Sequence, residues 1–192
     1  MKALLVTFLA HVLPGNAGII EGFLQPVINF EQLLAVVMIG LLSAQIGKRA
    51  IWTIPLTFAV MMTLGGLVGF AIGPVPPIIA YGTALSLIVF GIVLVIQQEI
   101  PEAIILIIIG IFAIFHGYAH GEAFPPEQTI VFFIAYIGGI IISTAGLAVI
   151  SVMLGFITLR FDRGALILRV IGILIVLIGL YFLLNVSATV SL

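Results

Sequence analysis

The chain has 192 residues, of which 64% are hydrophobic and 7% charged, with a mean hydropathy of +1.47. A soluble domain carries roughly 25% charged residues, so this composition excludes a soluble globular fold and places the chain in a lipid bilayer. A net charge of −1 gives no reason to expect nucleic acid as a partner, and the lack of cysteine rules out disulfides, thiolate metal sites and cysteine catalysis.

The chain opens with the pattern of a signal sequence. Lys2 is a positive n-region, residues 3–13 are apolar, and Gly15 and Ala17 are small residues at a suitable cleavage spacing. A cut after Ala10, exposing His11, is a second option. His11 and Pro14 interrupt the apolar run, so an uncleaved extra helix is the alternative for residues 1–17. Residues 18–192 then form a single transmembrane helical domain.

Six apolar segments follow, at 27–46, 51–73, 78–96, 103–118, 129–159 and 165–184. Each is near the ~20 residues that span a bilayer, and the fifth is long enough to tilt or protrude. The expected fold is therefore all-α, a polytopic bundle of about six transmembrane helices. The segments are separated by Gly47-Lys48-Arg49, Gly73 to Pro77, Gln97 to Glu102, Gly121 to Gln128 and Arg160 to Gly164. Basic residues favour the cytoplasmic side. Placing Lys48 and Arg49 there puts Arg160 and Arg163 on the same side, while the loops left outside carry no Lys or Arg. This orients the protein in the inner (plasma) membrane with its mature N-terminus outside. Trp52, beside Lys48 and Arg49, reads as an interfacial anchor.

Small residues recur every fourth position at Gly65, Gly69 and Gly73 and at Gly117 and Gly121, with Gly139, Ser143, Ser151 and Gly155 continuing the theme. Such faces let helix backbones approach closely in lipid. They suffice for a compact bundle and leave a homo-oligomer open. Met38, Met61, Met62 and Met153 read as core or lipid-facing filling.

The run Phe115-His116-Gly117-Tyr118-Ala119-His120-Gly121-Glu122 carries the most chemistry. Histidines four residues apart share one face of a helix, and His, His and Glu are a plausible ligand set for a borderline divalent cation. An ionisable cluster at the end of an apolar span is a functional-site hypothesis by default. A second polar cluster, Gln25-Pro26-Val27-Ile28-Asn29-Phe30-Glu31-Gln32, falls at the same level at the outer end of the first segment. About two helical turns separate Gln25 from Gln32, so both can turn inward. The two clusters together predict an extracytoplasmic vestibule, with Gln25, Asn29, Gln32 and Tyr118 as substrate-contacting residues.

The histidine run resembles the HupE/UreJ family of hydrogenase and urease accessory membrane proteins at Phe115, His116, Gly117, Ala119, His120 and Gly121, with Glu122 at or beside the acidic position. Gly40-Leu41 with Ala44-Gln45, Ala50-Ile51-Trp52 with Pro55, and Gly65-Gly66 extend the likeness, which covers Gly22 to Leu184. The resemblance implies uptake of nickel, or of cobalt. The family's first motif has His, Pro and then an Asp-His pair; here those places read Gln25-Pro26 and Glu31-Gln32. The proline and a carboxylate are kept, and both histidines are replaced by amides, which are poorer nickel ligands.

The expected function is a permease for a divalent cation, Ni2+ or Co2+, supplying metalloenzyme maturation. His116 and His120 are its expected ligands, and Glu122 and Glu31 supply charge. No tightly bound cofactor is expected. The alternatives are a channel for a small neutral solute (ammonia, urea or carbon dioxide) and a non-transporting accessory protein. No HEXXH arrangement, Ser/His/Asp set or nucleotide-binding loop occurs, so an enzyme is not expected.

Overall fold

Hydrocarbon offers no water to backbone N–H and C=O groups, so only helices or closed barrels can cross it. A computed structural model of the chain describes residues 17–75, 77–96, 100–125 and 128–190. It is 88% helical, with no strand among the described residues. The expected signal segment, apart from Ala17, lies outside them.

The helices are α1 (Ala17–Ile28), α2 (Phe30–Ile46), α3 (Ala50–Ile72), α4 (Ile78–Ile96), α5 (Glu102–Glu122), α6 (Ile130–Leu159) and α7 (Gly164–Val190). Helices α3 to α7 are each long and apolar enough to cross a membrane, and α1 with α2 makes a sixth candidate if that bent pair is one span.

The first expected segment, 27–46, is not one helix. The chain breaks at Asn29, and α1 and α2 meet at a 76° bend. Asn29 is extended (φ −89°, ψ 103°), and its side chain accepts the backbone N–H of Gln32 at 3.4 Å. This is N-cap behaviour, which satisfies a donor that a helix start leaves unbonded. Helix α5 also differs from expectation: it continues past residue 118 to Glu122, so His120 and Glu122 are held on the helix itself.

Glycine contacts set the packing. A Cβ on Gly65 or Gly69 would meet the carbonyl oxygens of Ile114 or Tyr118, and one on Gly117 or Gly121 would meet those of Met62 or Gly66. Helices α3 and α5 therefore run parallel with backbone against backbone, as small-residue faces allow. Gly22 and Gly139 join α1 to α6 in the same way, while Gly40 and Gly155 receive Ser151 and Ala44 between α2 and α6. Gly73 does not belong to this set. It ends α3 at φ 79° with open space around it, a left-handed turn that glycine adopts without steric cost.

A buried core of Val36, Ile39, Leu42, Ile54, Phe58 and Ile109 fills the centre. Toward the end where α5 stops, Phe70 stacks on Phe133 at 4.0 Å, and Phe124 packs edge-on against Phe133 at 5.2 Å. These rings hold the segment that follows Glu122 against α3 and α6.

Candidate functional site

Because α5 runs parallel to α3 and α2 starts at the same end, the last turns of α5 face the α1–α2 break. Helix α4 closes the third side. Together they enclose a cavity of about 160 Å³ lined by Asn29, Glu31, Gln32, Thr83, His116, His120 and Glu122, with Ile79, Ala80 and Ala119. Residues of two clusters far apart in sequence thus line one cavity. Six of the eight residues expected at the site line this cavity: Asn29, Glu31, Gln32, His116, His120 and Glu122.

Gln25 and Tyr118 are not among the lining residues. Gln25 sits on α1, and the 76° bend removes the shared face that a continuous helix would have given it with Gln32. Tyr118 is two residues from each histidine, which turns it to another side of α5. Its hydroxyl donates to the carbonyl of Gly73 at 2.8 Å, tying α5 to the end of α3.

His116 and His120 are 2% and 4% exposed, so both rings are inside the protein rather than in a wide vestibule. Ser86 Oγ lies 2.8 Å from His116 Nε2, and the Phe58 ring packs against the same imidazole at 5.9 Å between centroids. Thr83 Oγ1 donates to Glu31 Oε2 at 3.1 Å, so α4 holds a polar group from α2 and another from α5. The amide nitrogen of Gln32 donates to Met62 Sδ at 3.2 Å. Met62, expected as core filling, therefore also orients a residue of the site.

Three acceptor-capable atoms of the lining residues are buried without a hydrogen-bond partner: Gln32 Oε1, His120 Nε2 and Glu122 Oε2. Glu122 is half-buried where it lines the cavity. The four expected metal donors, Glu31, His116, His120 and Glu122, share this cavity but do not form a ready-made cage. Among the described residues, no three His, Asp or Glu side chains are grouped closely enough to hold one ion by themselves.

Sequence reasoning missed Thr83 and Ser86. They stand three residues apart in the otherwise apolar helix α4, a spacing that places both on one face. Asn29 as a helix start was also legible: Asn29 followed by Gln32 three positions on is close to a capping box.

With this geometry in hand, the model for "HupE / UreJ protein" matches residues 1–182. The chain belongs to the HupE/UreJ family. That family is associated with nickel or cobalt uptake for hydrogenase or urease. "Protein HupE" of Rhizobium leguminosarum bv. viciae is 30% identical over 171 residues, covering 88% of this chain and 86% of that protein. No solved structure matches the chain. In this HupE/UreJ member, Gln25 and Gln32 stand where the resemblance places the family's motif histidines, and of the two only Gln32 lines the cavity.

Proposed function

We propose that this protein carries a divalent transition-metal cation, nickel or cobalt, inward across the plasma membrane to supply metalloenzyme maturation. One observation supports the reading above others: Gln32 Oε1, His120 Nε2 and Glu122 Oε2 are buried around one cavity without a hydrogen-bond partner. Leaving a buried polar atom unsatisfied costs about 1–3 kcal/mol. A cation entering the cavity would relieve that cost at each of these atoms it met, and Met62 holds the Gln32 amide in place by accepting from its nitrogen. Binding by few protein donors at a time, completed by water, is weak binding, which favours release over retention in a transport path.

The test is nickel and cobalt uptake by cells expressing the wild-type protein, His120→Ala or Glu122→Gln. Wild type should accumulate metal, and each variant should lower uptake at limiting metal by about tenfold, the equivalent of 1.4 kcal/mol. Proteoliposomes that pass urea or ammonia but neither bind nor move metal would establish the neutral-solute channel instead.

A further inference from the structure

A groove of about 510 Å³, separate from the cation cavity, is apolar apart from Thr144. It opens between α3 and α6, from Phe58 and Ala59 at its inner end to Trp52 and Phe156 at its mouth. Three features of this groove argue for one kind of occupant.

The first is depth. From Ile51 to Ala59 the α3 wall rises about 12 Å, and from Phe156 to Ile141 the α6 wall rises about 22 Å, at 1.5 Å per residue, so the groove starts at one membrane face and stops short of the ~30 Å that cross the hydrocarbon core. An acyl chain entering from that face fits such a groove, whereas a transmembrane helix of a second copy would need a seam across both leaflets. The second feature is charge. Lys48 and Arg49 immediately precede α3, and Arg160 follows Phe156 by one turn of α6; all three are exposed. The contact of Gly155 with Ala44 puts the ends of α2 and α6 together, so these cations lie at the same end of the bundle as the groove mouth. Arg163 adds to them at the same end. Among the described residues the acids there are Asp162 and Glu102, and Glu102 accepts the Thr53 hydroxyl on the face of α3 turned toward α5. The third is Trp52, which is 74% exposed at the mouth, where an amphipathic ring sits at headgroup level.

We propose that this groove is a binding site for an anionic phospholipid, with one acyl chain between α3 and α6 and the phosphate held by Lys48, Arg49 and Arg160. Phe58 stands between the groove and His116, but the proposal does not rest on the metal reading.

Trp52 is the single tryptophan of the chain, so its fluorescence reports on the groove mouth directly. The full-length protein would be reconstituted with phospholipids brominated on the acyl chain, as either phosphatidylglycerol or phosphatidylcholine. Brominated phosphatidylglycerol should quench Trp52 at a several-fold lower mole fraction, about fivefold, which is the contribution of one Lys or Arg at an anionic surface. In K48Q/R49Q/R160Q the two lipids should quench alike. In Ala145→Phe, which fills the groove and leaves the cations in place, quenching by phosphatidylglycerol should fall to the phosphatidylcholine level. Equal quenching in the wild type overturns the proposal. So does a preference that survives both variants, or Trp52 shielded from both lipids in proportion to protein density, which would mark a second copy as the occupant.

Discussion

Ser86 Oγ is placed between two partners, 2.8 Å from His116 Nε2 and 2.6 Å from the carbonyl oxygen of Thr83. A hydroxyl has one proton. Given to the Thr83 carbonyl, which can only accept, it leaves Ser86 as the acceptor toward His116. The imidazole then carries its proton on Nε2 and keeps the lone pair on Nδ1. A serine outside the recognised motif thereby selects the tautomer of a site histidine, in the way that the second hydrogen bond of an imidazole usually does.

Ser86→Ala should leave His116 Nε2 buried without its partner, at a cost of about 1–3 kcal/mol. Metal affinity should weaken several-fold while the fold persists, and Ser86→Thr should restore most of it. Isothermal titration with nickel, alongside thermal unfolding, reads both quantities. Unchanged affinity in Ser86→Ala would show that the His116 tautomer does not matter to the ion.

Gln32→His should strengthen nickel binding, because imidazole competes better than an amide for this metal. A gain of about tenfold, or 1.4 kcal/mol, is the expected result, and it should disappear when His120→Ala is added. Gln25→His should have little effect, since Gln25 does not line the cavity. Equal gains from both substitutions would place Gln25 at the ion after all.

Gly117→Ala puts a methyl group onto the carbonyl oxygen of Met62 in the tight α3–α5 seam. Backbone cannot swing aside as a side chain can, so the helices must part, and overpacking of this kind costs typically ~1–3 kcal/mol. A lowered unfolding temperature and reduced uptake should appear together, because His116 and His120 flank the seam. Gly138→Ala, with nothing within 4 Å of its added Cβ, should be neutral or slightly stabilising given the better helix propensity of alanine.

The orientation is open to labelling, since the chain contains no cysteine. Ala123→Cys, at the exposed turn after Glu122, should react with an impermeant thiol reagent on intact cells. Lys48→Cys should be protected until the membrane is opened. The opposite pattern would invert the topology and with it the direction of uptake.

Composition and hydropathy by themselves determined the all-helical membrane fold, because continuous apolar runs of about 20 residues suit a spanning helix, whereas a barrel strand is about 10 residues of alternating polarity. Helical spacing and the glycine rows were equally local, and His116 and His120 were readable as a pair for that reason. The tertiary structure alone decided which polar groups share a cavity. Gln25 and Gln32 look equivalent in sequence, but the break at Asn29 turns α1 by 76° and leaves only Gln32 beside the histidines. Thr83 and Ser86 look like incidental hydroxyls in an apolar helix until α4 packs between α2 and α5 and places them against Glu31 and His116. Hydropathy follows from each residue singly, whereas a hydrogen bond across 30 or more residues depends on the rotation of two helices about their axes. That rotation is set by where glycine lets backbones touch, which no single segment of the chain contains.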